Sequence, residues 1–534
     1  METRMNNTLI FDTTLRDGTQ GENISFTPED KLRIAQKLDD IGVHYIECGW
    51  PGASPGAMEF FKLIQGVTLK QTVVTAFGAT RRPGIRPEDD TNLIALIECM
   101  APAVTLFGKT WDLHVVEIMG NTLSENLTMI QDSVAYIKNQ GRELLYDAEH
   151  FFDGYKSNPD YAAETLIAAL KGGADRLVLC DTNGGSLPHE IEAIMGEIGK
   201  RLEDRGYKNV PFGIHAHNDC AMGVANAIAA VRAGATMVQG TINGYGERCG
   251  NTDLTAVIPI LNLKMNRPCM DPENLKKLKS LSRFVSETAN MIPLNSRPFV
   301  GRSAFAHKAG VHVSAISKNP VAYEHMDPAL VGNKRRVIVS DQSGKSNIEY
   351  KAREMGIDLE TDAFDTRRFV SEIKLLEQDG YQYDLADGSL KILMDKFRLQ
   401  YKPRFELESF RVTVEKDKER PCTSHAIVKI AVDGKSEISA AEGAGPVSAL
   451  DNALRKALYK FYGEIADMHL VDFKVRVIDG REGTEAKVRV LIESRDQEDL
   501  WTTVGVSEDI IEASWEALAD SFQYKLGNKQ INQP

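Results

Sequence analysis

Short apolar or β-branched runs alternate with longer amphipathic stretches along the first half of the chain. The runs cover residues 9–15, 43–48, 73–77, 104–107, 144–148, 176–180, 212–217 and 237–242, and each predicts a strand. Between them, apolar residues fall at helical spacing over 88–100, 124–139, 160–171, 188–202 and 221–233. A further helix is announced by Thr27-Pro28-Glu29-Asp30, which offers a capping threonine with proline in the first turn. The segments "DDIG", "AALKGG" and "AVRAG" place glycine just past a helix, as C-caps do. Strand–helix alternation predicts a parallel sheet, and eight such units in about 260 residues predict a (β/α)8 TIM barrel. A doubly wound open sheet is the competing arrangement. No GxGxxG follows the first strand, which counts against it.

The alternation stops near residue 270. The stretch "MDPENLKKLKSLSRFVSETAN" reads as an amphipathic helix, and further helices such as 365–378 carry charged faces with short apolar stripes. From about 403 the pattern becomes a repeat. "SFRVTV" at 409–414 returns as "DFKVRV" at 472–477, and "AIVKIAV" at 426–432 returns sixty residues later as "AKVRVLI". Gly445, Leu450, Ala453, Ala457 and Leu458 return at the same offset as Gly505, Ile510, Ala513, Ala517 and Leu518. The chain is therefore expected to hold a barrel over 1–270, a helical linker over 271–402, and a C-terminal α+β module of two β-strand–helix repeats over 403–534. "AAEGAGP" and "TTVGVSED" place Gly and Ser beside a helix start, where backbone N–H groups can hold a carboxylate. On its residues alone, the module reads as an oligomerisation or small-ligand-sensing unit.

Bulk properties narrow the partners. The formal net charge is -13 with no long basic run, which argues against nucleic acid and anionic membrane. No apolar run approaches the roughly 18 to 20 residues of a spanning helix. The N-terminal "METRMNNT" lacks the apolar stretch of a signal peptide. Seven scattered cysteines, odd in number and not in CxxC pairs, point to a reducing compartment, so a cytoplasmic location is expected.

Barrel enzymes carry their chemistry at the carboxyl ends of the strands. Here Asp17, Glu47, Glu149, Asp181-Thr182, His215 with His217, and residues 243–251 fall at six such ends. In "HAHND", His215 and His217 share one face of a strand, about 6 to 7 Å apart at the backbone, which suits two imidazoles on one divalent ion. Asp17 on the first strand's rim completes a mixed N/O set with open positions, as a catalytic ion requires. Asn251 in "GYGERCGN" is either a fourth group or a turn residue.

"DTTLRDGTQ", "HAHND" and "GYGERCGN", in this order on a barrel, resemble the DRE-TIM metallolyase superfamily and its 2-isopropylmalate, homocitrate and citramalate synthase branch. "YDAEHFFDGY", "FGKTWDLHV" and "FAHKAGVHVSAI" are most similar to the citramalate synthases of that branch. The resemblance implies Asp17, His215 and His217 as ligands of a divalent metal (Zn, Mn or Mg), with Asn251 in the shell. It implies a Claisen-type condensation of acetyl-CoA with pyruvate to citramalate and free CoA, on the way to isoleucine. It assigns Glu149 and His312 as catalytic groups, with Tyr323 in support. It also implies a homodimer in which His312 reaches the partner's site, and isoleucine as effector at the C-terminal module.

Arg16 can stabilise oxygen charge on the keto acid or enolate, or simply pair with Asp12 or Asp17. Thr182 can hydrogen-bond the substrate carboxylate or cap the next helix. Glu149 has buttressing of Arg16 as its alternative role, and His307 is the alternative to His312. Asp147 departs from the Tyr, Phe or Ser common in relatives two positions before the catalytic Glu; it is a candidate substrate-binding residue, and the pocket wall on that side is left open. A larger 2-oxo acid, or carbon–carbon cleavage by a lyase or aldolase on the same barrel, is the rival chemistry. Cys249 favours the lyases slightly, but it sits in the synthase form of its loop. A metal-dependent sensor without turnover fits poorly with Glu149, Arg16 and His312 around one ion.

Overall fold

A computed structural model describes residues 8–340, 342–360, 364–399, 401–419, 421–478, 486–497 and 499–528. The start of the chain, residues 1–7, on which the expectation about a leader segment rests, lies outside them. The chain divides into two compact units. The first runs through Phe305 and adds Asp327–Lys334; the second holds Ala306–Met326 and the chain from Arg335 onward. The division thus passes through the 271–402 stretch, whose helices Pro272–Leu275 and Leu278–Thr288 belong with the first unit.

In the first unit eight parallel strands close into a barrel: β1 (Leu9–Asp12), β2 (Tyr45–Glu47), β3 (Val73–Ala79), β4 (Ala103–Lys109), β5 (Glu143–Glu149), β6 (Arg176–Asp181), β7 (Phe212–Ala216) and β8 (Met237–Gly240). Closure comes from β1 pairing β8, with Leu9 beside Met237 and Asp12 beside Gly240. Phe11, Ala103, Leu145 and Met237 fill one interior layer, so the barrel is a packed core whose chemistry is confined to its ends.

Local chemistry sets the helix bounds. Thr27 and Asp30 form a reciprocal capping box at 3.1 Å in each direction, and Gly42 at φ 88° ends the helix Pro28–Ile41. Over 88–100 the helix is shorter than the periodicity predicts, Thr91–Glu98. Asp90 accepts from the Asn92 and Leu93 N–H groups and so starts the helix after the short turn Pro87–Asp89. The helix predicted from 221 begins at Gly223, because Ala221 sits at φ 58° and the Asn218 side chain accepts from the Gly223 N–H. Helices Pro55–Gln65 and Phe151–Ser157 were not expected from the pattern.

The second unit opens with a two-stranded parallel pair, β9 (Ala306–His307) and β10 (Arg336–Val337), and the helix Gly310–Lys318 that carries His312. Helices Lys345–Glu354, Thr366–Gln378 and Asp387–Lys396 follow. Two antiparallel three-stranded sheets come last: β11 (Glu406–Glu415), β12 (Thr423–Val432) and β13 (Lys435–Gly443), then β14 (His469–Val477), β15 (Val488–Arg495) and β16 (Leu500–Ser507). Each is followed by one helix, Pro446–Leu458 and Ile510–Asn528, and the two halves share a core.

The repeat is real, but its offset is corrected. β11 and β14 are irregular at equivalent places, between Leu407 and Ser409 and between Leu470 and Asp472, a spacing of 63. Val428 pairs with Phe410 and Ser439, as Ile492 pairs with Phe473 and Thr503, so the second and third strands repeat at 64. The offset of sixty matched small residues one helical turn early, because positions four apart share a helix face. Each repeat also has a third strand, β13 or β16, beyond the strands read from the pattern. Among the described residues, no helix is long and apolar enough to cross a membrane.

Candidate active site

Asp17, His215 and His217 converge at the carboxyl ends of β1 and β7, all three buried, with one ligand atom from each lying within 4.8 Å of the others. β7 stops at Ala216, and His217 continues as an isolated bridge to Asn251. The two imidazole Nε2 atoms face each other at 3.3 Å, and His215 Nε2 lies 3.5 Å from Asp17 Oδ2. Burial and His215 push His217 down to about 4, so the ring is neutral and has a lone pair to give. Burial works against ionisation of Asp17. Arg16, the two histidines and the Asn251 amide outweigh it and hold the carboxyl at about 2.

The Gly-rich loop after β8 brings Asn251 onto this group. Gly250 turns at φ 90°, where a Cβ would lie 2.0 Å from the Gly244 carbonyl oxygen. At Gly246 a Cβ would lie 2.2 Å from the Asn251 amide nitrogen. Asn251 donates to Asp17 Oδ1 (3.0 Å) and to the Tyr245 carbonyl (3.1 Å). Its own Oδ1 is buried and has no partner among the described residues. Two imidazoles, a carboxylate held ionised and an orphaned amide oxygen form the donor set of a divalent-ion site, and these residues fit one.

Sequence reasoning missed the supports. Gln239, fully buried in β8, takes the His215 Nδ1 at 2.9 Å and donates to Asp147 at 3.1 Å. A proton on Nδ1, given to the Gln239 oxygen, leaves Nε2 bare for an ion. Asp147 ends that chain as a buried group. Its carboxyl is pushed well above the usual carboxylate range by burial and by Glu47, with Arg16 opposing. Glu47, noted above only as a rim residue, accepts from Arg16 Nε (2.5 Å) and Thr13 Oγ1 (2.6 Å). The signal available was a polar residue inside an apolar strand, which alone does not distinguish a support from a satisfied core group.

Arg16 pairs with Glu47 and with Asp17 (3.0 Å), and its guanidinium lies 3.7 Å over the Phe77 ring. It makes no pair with Asp12, whose carboxyl accepts from Thr14 and is pushed up to about 7 by burial. The two carboxyls of "DTTLRDG" are thus pushed apart, Asp12 structural and raised by burial to about 7, Asp17 lowered to about 2. Glu149 ends β5 and pairs with Lys109 at the end of β4, not with Arg16. Thr182 does not cap the helix Pro188–Asp204, which starts six residues on. Its Oγ1 accepts from the His150 N–H at 2.9 Å. His312 and Tyr323 belong to the second unit, where their rings stack with centroids 4.1 Å apart. His307, the alternative, is tied to Glu324 at 3.1 Å, and Glu324 is gripped by Arg335.

Three family models match in succession. The HMGL-like model covers residues 7–285, the homocitrate synthase post-HMGL domain-like model 299–380, and the LeuA allosteric (dimerisation) domain model 384–526. An (R)-citramalate synthase of Aquifex aeolicus is 51% identical over 97% of this chain and 97% of its own length. One from Geobacter sulfurreducens is 52% identical over the same shares. A 2-isopropylmalate synthase of Methanocaldococcus jannaschii is 32% identical over 98% of this chain and 95% of its own.

Proposed function

This chain belongs to the HMGL-like family, with the (R)-citramalate synthases, and we propose from that premise that it condenses acetyl-CoA with pyruvate and water to give (R)-citramalate and free CoA. It is a condensing enzyme of the acyltransferase kind. The observation that carries the reading is the buried Asp17–His215–His217 cluster beside Arg16 at the barrel mouth. A divalent ion (Zn, Mn or Mg) held by Asp17, His215 and His217, with Asn251 beside them, would supply Lewis-acid polarisation of a 2-oxo acid's keto group.

The chain's own residues do the rest. Arg16, already fixed by Glu47 and the Phe77 face, meets oxygen charge as it develops on the keto acid. Thr182, with its acceptor side occupied by the His150 N–H, turns its hydroxyl proton toward the substrate carboxylate. Asp147, whose carboxyl burial and Glu47 push upward, lines the pocket beside that carboxylate. Glu149 and His312, with Tyr323 against it, move the protons: one leaves the acetyl methyl so that C2 can be attacked, and water then cleaves the thioester. His312 serves the barrel of the partner subunit in a homodimer. The site lies in the cytoplasm, on the pyruvate route to isoleucine.

The test offers the purified protein acetyl-CoA with pyruvate, 2-oxobutyrate, 2-oxoisovalerate or 2-oxoglutarate and follows free thiol. Pyruvate is expected to lead the branched and dicarboxylic acids by about 10- to 200-fold in kcat/KM. A larger acid turning over faster overturns the substrate assignment.

Regulation is proposed to reside in the segment matching the dimerisation model. In the full chain isoleucine is expected to inhibit condensation saturably, a linkage of about 1–3 kcal/mol, and to raise amide-exchange protection within residues 403–528. Protection changing in the barrel alone would refute this.

A further inference from the structure

The second unit carries a buried carboxylate that the reaction steps leave unused. Ser317 to His325 form an exposed run in which one residue is buried, Glu324, at 6% exposure. An exposed turn sinks a carboxylate only where partners meet it, because taking the charge out of water is costly. Here two do. Arg335 donates from Nε to Oε1 and from Nη2 to Oε2, both at 2.6 Å, a two-pronged pair in a fixed plane. His307 Nε2 lies 3.1 Å from Oε1. Burial works against ionisation of Glu324; Arg335 and His307 outweigh it and hold the carboxyl below its ordinary range.

The local fold explains the convergence. β9 and β10 pair in parallel with Val337 beside His307, and the Ile338 N–H donates to the His307 carbonyl at 2.8 Å. That pairing sets Arg335 and His307 around one point. The chain leaves β9, forms the helix Gly310–Lys318 and turns back through Pro320–Ala322. At the end of that turn the Tyr323 and Glu324 N–H groups both donate to the Pro320 carbonyl, at 3.1 and 3.0 Å. His307 precedes the helix and Glu324 follows it, so their contact closes the loop between them. Tyr323, one residue before the grip, then falls on His312, with ring centroids 4.1 Å apart. Tyr323 is 46% exposed and Val321 80%, so burial of their own side chains does little to hold the turn there.

We infer that Glu324 is a positioning residue for the condensation: clasped by His307 and Arg335, it returns the turn to the helix and sets Tyr323 against His312. The inference rests on the reading of His312 as a proton-transfer group, and it gives His307, the alternative to His312, a separate task. A turn released from the clasp leaves the His312 ring free to rotate, and a misplacement of about 1 Å at a reacting group costs about 100-fold.

Steady-state kinetics on the full-length enzyme, followed by thiol release, tests it. Glu324→Gln keeps the shape and deletes the charge. It is expected to lower kcat about 10- to 100-fold and to leave KM for pyruvate within about twofold, because the metal ligands and Arg16 lie in the barrel. In a His312→Ala background the same substitution is expected to change kcat by less than about twofold, since the group it positions is already gone. In spectra of protein with isotope-labelled histidine, the His312 ring signal, identified by its loss in His312→Ala, is expected to shift as Tyr323 leaves its face. If Glu324→Gln does not fold, Glu324→Asp, which keeps the charge one methylene short, is judged by the same readouts, with kcat lowered about three- to tenfold. Equal losses in the two backgrounds, an unmoved His312 signal, a rise in KM without loss of kcat, or failure of both variants to fold overturns the assignment. His312→Ala keeping kcat within about tenfold overturns the reading of His312 instead; the ring signal then still decides whether Glu324 sets Tyr323 against it.

Discussion

Asp17→Asn or His217→Ala is expected to strip the divalent ion and lower kcat by about 1,000-fold or more, since Lewis-acid stabilisation amounts to several kcal/mol. The two substitutions remove different things. Asp17→Asn keeps the shape and deletes the charge that Arg16, His215 and His217 hold ionised against burial. His217→Ala keeps the charge and deletes one of two Nε2 atoms that face each other at 3.3 Å. Elemental analysis after dialysis, alongside thiol release, checks both consequences at once. Each variant should melt cooperatively, because Arg16 keeps its pair with Glu47 in either case. A variant that retained one ion per chain, or that kept kcat within about tenfold, would refute the ligand assignment. Gln239→Leu makes a graded comparison. It removes the acceptor of the His215 Nδ1 proton and leaves the ligands in place, so metal affinity should fall by about 10- to 100-fold while the ion remains bindable.

The barrel was legible because the strands are short apolar runs, six of them closed by polar rim residues, and parallel strands buried on both faces leave that plain pattern. The metal cluster was legible because two of its members lie two residues apart on one strand, a spacing that itself states a shared face. Its supports were not. Gln239 and Glu47 are single polar residues inside apolar strands, and their partners lie 24 and 31 residues away in sequence, so only the pairing of neighbouring parallel strands brings them together. Lys109 at the end of β4 meets Glu149 for the same reason. In the first C-terminal repeat the third strand was hidden by composition. β13 reads "KSEISAAEG", charged and small rather than β-branched, and it is held by its register against β12. The slip of one turn in the repeat has a physical origin too. A helix face of small residues at every fourth position matches itself after a shift of four, whereas the irregularities in β11 and β14 occur once per repeat and admit only one alignment.

Mixing two inactive variants is expected to restore activity, and the restoration measures which subunit His312 serves. His312→Ala alone should lose about 100- to 10,000-fold in kcat, the range for a positioned acid–base group. His312 is half-buried on the second unit with Tyr323 stacked on it. Val311 (74% exposed), Val321 (80%) and Tyr323 (46%), near it in sequence, are open to solvent. Apolar side chains open to solvent, next to an imidazole with no hydrogen-bond partner among the described residues, fit a group that works against another surface. In a mixed dimer, one chain carries Asp17→Asn with an intact His312, and its partner carries an intact metal cluster with His312→Ala. If His312 acts across the dimer, one of the two sites in that pair is whole and the other lacks both groups. Half of the dimers from an equal mixture are mixed, so about a quarter of wild-type activity should return after co-expression or subunit exchange. If His312 served its own barrel, every site in the mixture would lack one group and the activity would stay at the level of the single variants. Metal content separates the other failure. A mixture holding about one ion per two chains, yet inactive, would place the fault with His312 and leave the ligand assignment standing.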